Sequence, residues 1–420
     1  MTTQLLSDQR FEEARLLCRL LSDNGYPSML AGGCVRDRLF GLEPKDYDLA
    51  TCAPPATGLA FFEKLGYRVI PTGLAHGTIT VLTPTQSVEI TTLRSDVACF
   101  GRHARVAFST SFEEDARRRD FTINALFEDA HGQVLDFVGG ISDLRERRLR
   151  FVGDPRERIR EDYLRILRYF RFLGRYGWEP QTALLETIAS SLDGLKLLSP
   201  ERIHGEFDQI LLSPHIQMLL ALLDQTGVLR TLFPWYDATP SLGRLLHELN
   251  TRDTTLPWFS LFYWGSRRAQ EAAWLKNELA RWRFTRKQRG SLLLLQDLFL
   301  NLQSPTAAPA LLLRLAERTE LDLDSLAVYL QRSRRIFKLD PPAFPEAFIT
   351  HLSGRNTPPI PTAALLKVPR KERNRTVTLI KIFCFSDPSP KGCDIEHIIR
   401  HRDQYWGQLA SGKWFNEVQG

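Results

Sequence analysis

Asp46 and Asp48 stand two residues apart in a segment whose side chains could hold a metal ion. Read as a strand, Asp46-Tyr47-Asp48 puts both carboxylates on one face, because side chains alternate along a strand. Two like charges on one face repel unless a cation lies between them, and two hard oxygen ligands suit Mg²⁺. Just upstream, Leu30-Ala31-Gly32-Gly33-Cys34-Val35-Arg36-Asp37 reads as a short strand, a diglycine turn and the start of a helix. Gly32 and Gly33 leave backbone N–H groups open at a helix N-terminus, which suits an anion. Arg36, on the first turn, adds a fork of donors. Carboxylates for a metal beside a cradle for phosphate suggest nucleotidyl transfer. An Asp-x-Asp alone is common in turns and solvated pairs, so the weight rests on the diglycine and Arg36-Asp37 at fixed spacing before it.

A second constellation lies in Glu161-Asp162-Tyr163-Leu164-Arg165-Ile166-Leu167-Arg168-Tyr169-Phe170-Arg171. The periodicity predicts one helix from about Arg158 to Tyr176. Asp162, Arg165 and, with some drift, Arg168 and Arg171 share a face at three-residue steps. Tyr163, Ile166, Leu167 and Phe170 form the opposite, buried face. A basic face on an amphipathic helix is usually just solvated, but an acid and a base on one face could also read a nucleobase. Cytosine and adenine each present an exocyclic amine donor beside a ring-nitrogen acceptor. A carboxylate accepting from the amine and a guanidinium donating to the ring nitrogen fit both. Guanine and uracil present the reverse pattern and would mispair both groups, at a cost of roughly 1–3 kcal/mol each. Such a pair selects C and A without a nucleic-acid template.

A third stretch is Arg117-Arg118-Arg119-Asp120-Phe121-Thr122-Ile123-Asn124-Ala125-Leu126. An arginine run is more often a solvated face, yet here Asp120 and Asn124 follow within an otherwise apolar segment. The three stretches, in this order, resemble the polymerase-β-type nucleotidyltransferases, and more narrowly the class II tRNA nucleotidyltransferase and bacterial poly(A) polymerase family. The resemblance covers roughly residues 1 to 230. It implies that Gly33 and Arg36 hold phosphates and that Arg119 contacts the nucleotide. It implies too that Asp120 and Asn124 support the ribose 2′-hydroxyl, which both donates and accepts. Asp162 and Arg165 then choose the base, Arg168 and Arg171 add positive charge, and Asp46 and Asp48 serve two-metal transfer with Mg²⁺. Pro71-Thr72-Gly73 with His76-Gly77-Thr78 look like the family's nucleotide-facing turn and strand. Gly139–Leu144 and Leu149–Pro155 look like a hinge between head and neck. The implied activity is template-independent addition of CCA to the 3′ end of tRNA from CTP and ATP. A partial enzyme adding only CC or only A, a poly(A) polymerase, and an inactive RNA-binding member are the rivals. Poly(A) polymerases usually show glycine where Cys34 stands.

The elements that must position these residues follow from the pattern. The expected class is α+β: a mixed-sheet nucleotidyltransferase head with helices over 1–150, a helical neck over 151–230 and a helical body and tail over 231–420. Gln9–Leu21 reads as a helix packing Phe11, Ala14, Leu17, Leu20 and Leu21 on the first sheet, with another near Thr57–Leu65. Strands are expected around Arg68–Ile70, Gly77–Leu82 and Ser87–Leu93. Glu89, in the last of these, reads either as a third carboxylate or as an exposed residue paired with a basic side chain. Ser95 to Asp115 lacks a clear period and reads as a mobile loop, which by resemblance belongs to enzymes able to add A after C. Ser199-Pro200-Glu201-Arg202-Ile203 opens a helix to Leu212, with proline in its first turn.

The chain's 420 residues suffice for two or three domains. A net charge of +6 fits a polyanionic partner such as tRNA. Arg281-Trp282-Arg283-Phe284 with Arg286-Lys287, and Pro369-Arg370-Lys371 with Arg373 and Arg375, are either phosphate contacts or solubilising surface. His397 and His401 stand four apart without the glutamate or third ligand of a metal helix, and read as structural or surface residues. Six scattered cysteines with no Cys-x-x-Cys argue for a reducing compartment. With no apolar run near the roughly 18 residues of a spanning helix and a polar start, the expectation is a cytoplasmic protein with no membrane contact.

Overall fold

The computed structural model describes residues 2–98, 105–237, 240–249, 251, 253–266, 268, 271–300 and 323–337. The chain divides into two compact units, Met1–Leu195 and Lys196–Gly420.

The first unit opens with helix α1 (Thr2–Asp23), strand β1 (Ser28–Ala31), helix α2 (Gly33–Leu39), strand β2 (Asp48–Thr51) and helix α3 (Pro55–Lys64). Strands β3 (Arg68–Gly73), β4 (Thr78–Leu82) and β5 (Ser87–Thr92) follow. After these come β6 (Arg94–Ala98), β7 (Arg105–Phe108), α4 (Phe112–Arg118), β8 (Leu126–Glu128) and β9 (Val134–Asp136). Helices α5 (Gly140–Arg145), α6 (Pro155–Glu161), α7 (Leu164–Tyr176) and α8 (Thr182–Ala189) complete it. Seven strands form one mixed sheet in the order β3-β4-β5-β2-β1-β8-β9, with β2 and β5 parallel and the other neighbours antiparallel. The α+β expectation for the head holds. Ala14, Leu17 and Leu21 of α1 are fully buried and share a core with Leu30, Leu49, Phe62 and Ile79, so burial of an apolar stripe, not propensity, fixes α1 on the sheet. Pro55 occupies the first turn of α3, where its missing N–H costs nothing.

Three expectations need correction. Strand β2 begins at Asp48, so Asp46 is not a strand neighbour of it. Strand β1 stops at Ala31, where Gly32 turns into the left-handed region at φ 71°, and its ladder with β2 reaches only Leu30 opposite Leu49. Nothing is left for Asp46 to pair with, and it stands exposed before the strand. Second, Ser95–Asp115 is not a loop throughout. β6 and β7 pair as an antiparallel ribbon from Arg94 opposite Phe108, and α4 starts at Phe112, capped by Ser111 Oγ accepting from the Glu114 N–H at 3.2 Å. Gly101, Arg102 and His103 lie outside the described residues. Third, the helix expected from Arg158 to Tyr176 is broken. Asp162 adopts an extended backbone (φ −154°, ψ 104°) between α6 and α7, and its Oδ1 accepts from the Leu164 N–H at 3.2 Å. A short carboxylate that bonds the backbone favours a helix end over a helix interior. Ile166, Leu167 and Phe170 are fully buried, as the period requires, whereas Tyr163, at the break before α7, is only half-buried.

The second unit is helical among the described residues: α9 (Pro200–Leu211), α10 (Ile216–Gln225), α11 (Val228–Leu232), α12 (Pro240–Leu249), α13 (Thr255–Trp264), α14 (Ala272–Arg281), α15 (Arg286–Leu300) and a helix at Leu323–Phe337. Its core is aromatic, with Trp258 packed among Phe207, Phe233, Phe262 and Phe284 and its indole N–H donating to Asp208 Oδ1 at 2.6 Å. The Arg281–Phe284 cluster splits by face: Trp282 and Phe284 are buried, whereas Arg281 and Arg283 are exposed. The Pro369–Arg375 cluster, His397 and His401 fall outside the described residues. Among the described residues no helix is long and apolar enough to cross a membrane.

Gly140 opens α5 so close to the preceding turn that a Cβ there would lie 2.2 Å from the Thr122 carbonyl oxygen. Gly140→Ala should therefore lower the unfolding free energy by about 1–3 kcal/mol, read as a reduced urea midpoint at constant slope. An unshifted midpoint would contradict this close packing.

Candidate active site

Local backbone rules place the first residues of the site. Gly32 is the last residue before α2, and its N–H donates to the Leu126 carbonyl at 2.9 Å. A Cβ on it would meet Arg119 Nη1 at 2.7 Å and the Asn124 carbonyl oxygen at 3.3 Å, so glycine is required there by contact as well as by its positive φ. A cleft of roughly 470 Å³ opens here, bordered by Gly32, Gly33 and Asp48 on one side and by Asp162, Arg165 and Arg168 on another. Arg36, Arg119 and Asp120 also line it, so eight of the ten predicted site residues reach one cavity within the first unit. Asp46 and Arg171 do not border it; the Arg171 guanidinium lies 5.0 Å from the Phe172 ring centre.

The acidic side is built by strand register. Parallel pairing sets Asp48 opposite Glu89. Asp48 is half-buried, and burial, then Glu89, then Asp46 push its carboxyl up to about 6 against the opposing pull of Arg119. Glu89 lines the same cleft and has no ion-pair partner among the described residues, so of its two readings the nearby carboxylate fits better. This is a donor set short of positive charge, which a hard divalent cation would supply. Among the described residues no group of three or more His, Cys, Asp or Glu side chains is placed to hold a metal ion. An open set of carboxylates completed by substrate oxygens is how Mg²⁺ is usually held.

The basic side is held by buried acids. Asp115 accepts from Arg118 Nε at 2.8 Å and from Arg119 Nε at 3.0 Å. Burial alone would push the Asp115 carboxyl up, but Arg119 and Arg118 beside it hold it below the usual carboxylate range. Arg119 Nη1 also donates to the Asn124 carbonyl at 2.9 Å, and its guanidinium lies 4.9 Å from the Phe127 ring centre. Asp120 is 6% exposed; its Oδ1 accepts from Asn124 Nδ2 at 3.0 Å and its Oδ2 pairs with Arg168 Nη2 at 2.7 Å. Arg36 is 4% exposed, with Nε on Asp37 Oδ1 at 2.9 Å and Nη1 on Asn124 Oδ1. Its fork is engaged inside the protein, so Arg36 stiffens the cleft floor more than it offers a spare grip. Arg165 Nη1 donates to the Arg158 carbonyl at 2.8 Å and to Glu161 Oε2 at 2.5 Å, which leaves three of its roughly five N–H donors outside those bonds.

The sequence reading assigned no role to Asp115, Arg118 or Asp37. A signal for the first existed: Glu113-Glu114-Asp115 places acids three and four residues before Arg118 and Arg119, the spacing of helical ion pairs.

The mixed sheet with this cleft at the end of β1 and the start of β2 has the fold of a polymerase-β-type nucleotidyltransferase head. Residues 28–150 match the family described as Poly A polymerase head domain, and residues 179–239 match that described as probable RNA and SrmB-binding site of polymerase A. The chain is 43% identical over 221 residues to the mitochondrial CCA tRNA nucleotidyltransferase 1 of Mus musculus, covering 52% of this chain and 51% of that one. It is 39% identical over 207 residues to a CCA-adding enzyme of Streptococcus pyogenes, covering 49% of this chain and 50% of that one. It thus spans about half the length of the curated relatives it matches. The crystal structure of the Bacillus stearothermophilus CCA-adding enzyme in complex with CTP is similar over 96% of this chain and 93% of that chain, with a TM-score of 0.67 and 26% identity. The resemblance of the chain to the tRNA nucleotidyltransferase and poly(A) polymerase family holds, with the poly A polymerase head domain matched over residues 28–150. Divalent-metal use is general in that family.

Gly32→Ala forces a side chain against Arg119 and a positive φ on alanine. It should cost about 1–2 kcal/mol of stability and, by displacing one charge-assisted donor, weaken nucleotide binding about tenfold or more. Calorimetric titration with CTP checks this, and unchanged affinity would show that Arg119 does not hold the nucleotide.

Proposed function

We propose that this chain rebuilds the CCA end of tRNA, adding C, C and A from CTP and ATP without a nucleic-acid template. The observation that carries the reading is that Asp162 and Arg165 face the same cleft as Asp48. A base-reading pair and a carboxylate site for the transfer are then within reach of one bound nucleotide. In this reading the head over 1–150 does the chemistry, the neck over 151–230 chooses the base, and the body and tail over 231–420 hold tRNA. The buried free thiols of Cys18 and Cys34 are in keeping with a reducing compartment, and we place the protein in the cytoplasm.

Each residue of the cleft then has a role. Asp48 in the cleft, with Asp46 exposed just outside it, would hold Mg²⁺, which when bound makes the RNA 3′-hydroxyl more acidic and balances charge on the pyrophosphate leaving group. Arg119, fixed by Asp115, meets the phosphates, and Asp120 with Asn124 orients the sugar. Arg165 comes to the base already oriented by Arg158 and Glu161, so little rotamer entropy is lost on binding. The Asp162 carboxylate, anchored by the Leu164 N–H, accepts from the exocyclic amine that cytosine and adenine share. Arg168, on α7 with Arg165, adds positive charge beside the sugar site. Charged groups fixed before substrate arrives need no reorganisation during the reaction.

The test uses Mg²⁺ and tRNA transcripts ending at the discriminator base, at C and at CC, each with CTP, ATP or both. Addition of CCA that then stops is the expected product. Stopping at CC, or activity only on the CC-ended transcript, would mean a partial enzyme; a long A tract on unrelated RNA would mean a poly(A) polymerase. Asp48→Ala, or chelation of the metal, should lower incorporation by at least about a hundredfold while RNA retention on a filter persists. Asp162→Ala or Arg165→Ala should cut the preference for CTP over UTP by about ten- to a hundredfold; an unchanged preference in both variants would refute the base-reading roles.

A further inference from the structure

We propose that Asp37, Arg175 and Tyr176 form a latch outside the cleft that sets its base specificity by fixing the angle of α7. The inference rests on the base-reading roles of Asp162 and Arg165 just proposed. None of the three latch residues borders the cleft. Asp37, on α2, is 3% exposed and receives three donors: Arg36 Nε at 2.9 Å, Arg175 Nη2 at 2.6 Å and the Tyr176 hydroxyl at 3.1 Å. Burial pushes the Tyr176 phenol up to about 12, so at neutral pH it remains a donor to Asp37. An aromatic cluster backs the polar contact. Tyr176 stacks on Trp178 at 4.7 Å, Phe40 at the end of α2 meets both edge-on, and the Arg36 guanidinium lies 5.2 Å from the Phe172 ring centre.

Two helices meet in this contact. Helix α2 starts at the diglycine, the phosphate side of the cleft. Helix α7 carries Arg165 near its first turn and Arg175 near its last, ten residues and about 15 Å apart along the axis. The Arg168–Asp120 pair at 2.7 Å holds α7 near its start, inside the cleft. The buried apolar side chains of α7 seat it in the core, and the two polar ties, one toward each end, fix its line on that seat. Arg165 lies three residues, about 4.5 Å along the axis, from the Arg168 tie, so a tilt of about 12° about that tie displaces its backbone by about 1 Å. A misplacement of that size is enough to cost on the order of a hundredfold in rate. The latch therefore makes Asp37 and Arg175 positioning residues: they touch no substrate, yet hold the base-reading end of the cleft in register with its phosphate end.

The test measures kcat and KM for CTP, ATP and UTP in the full chain and in Arg175→Ala, Arg175→Lys and Arg165→Ala, with melting temperatures alongside. The Arg175 side chain is 36% exposed, which suits it to truncation. Arg175→Ala should lower the CTP-over-UTP ratio of kcat/KM by about tenfold or more, chiefly through kcat, and Arg175→Lys should restore most of it. If the alanine variant does not fold, Tyr176→Phe carries the same measurement, since it removes one hydroxyl and keeps the stack. A lowered melting temperature with an unchanged ratio would overturn the latch. Arg165→Ala separates the two ideas: an unchanged ratio there overturns the base-reading role on which the latch rests. A relaxed ratio in Arg165→Ala with an unchanged ratio in Arg175→Ala overturns the latch alone.

Discussion

A guanidinium cannot shed its proton inside a protein, so every arginine brought into a partly dry cleft must be matched by a carboxylate. That constraint organises the first unit. Asp37 answers Arg36, Asp115 answers Arg118 and Arg119, and Asp120 answers Arg168. Each of these acids is less than a tenth exposed, so removing one would strand its arginines. Truncating one partner of a buried pair commonly costs about 3–5 kcal/mol, whatever the pair is worth intact. What the pairs provide is geometry: arginines pointing in fixed directions before any nucleotide arrives. Asn124 links two of the pairs, accepting from Arg36 and donating to Asp120.

The acidic edge obeys the opposite rule. Asp48 sits near Glu89 and Asp46 with Arg119 as the opposing charge, and the balance stays negative. One cleft thus holds a compensated basic half and an undercompensated acidic half, which is the charge pattern for a polyphosphate that arrives with its cation. Strand register creates this pattern. Parallel pairing of β2 with β5 sets Asp48 opposite Glu89, residues forty-one positions apart.

Much of this was legible in the residues. The diglycine with Arg36, the Asp120–Asn124 spacing and the Asp162–Arg165 pair were each visible as local patterns, and all three converge on one cavity. Patterns that depend on what the chain meets elsewhere were not. Periodicity sees apolar spacing, so it ran straight through Asp162, where the carboxylate turns back to the Leu164 N–H and ends the helix. It likewise found no period in Ser95–Asp115, because a ribbon of four- and five-residue strands is too short to show one. Asp46 looked like a strand residue because the register of β2 on β1, whose ladder ends at Leu30 opposite Leu49, is not written in the local spacing. The engagement of Arg36 by Asp37 and Asn124, 88 residues away in sequence from the latter, is a fact of tertiary structure alone.

The central claim is that protein side chains, without RNA, distinguish C and A from G and U. Equilibrium binding of CTP, ATP, UTP and GTP to the protein alone, in Mg²⁺, tests it most directly. The account predicts that CTP and ATP each bind about tenfold or more tightly than UTP and GTP, the equivalent of about 1.4 kcal/mol. Equal affinities for all four would contradict it.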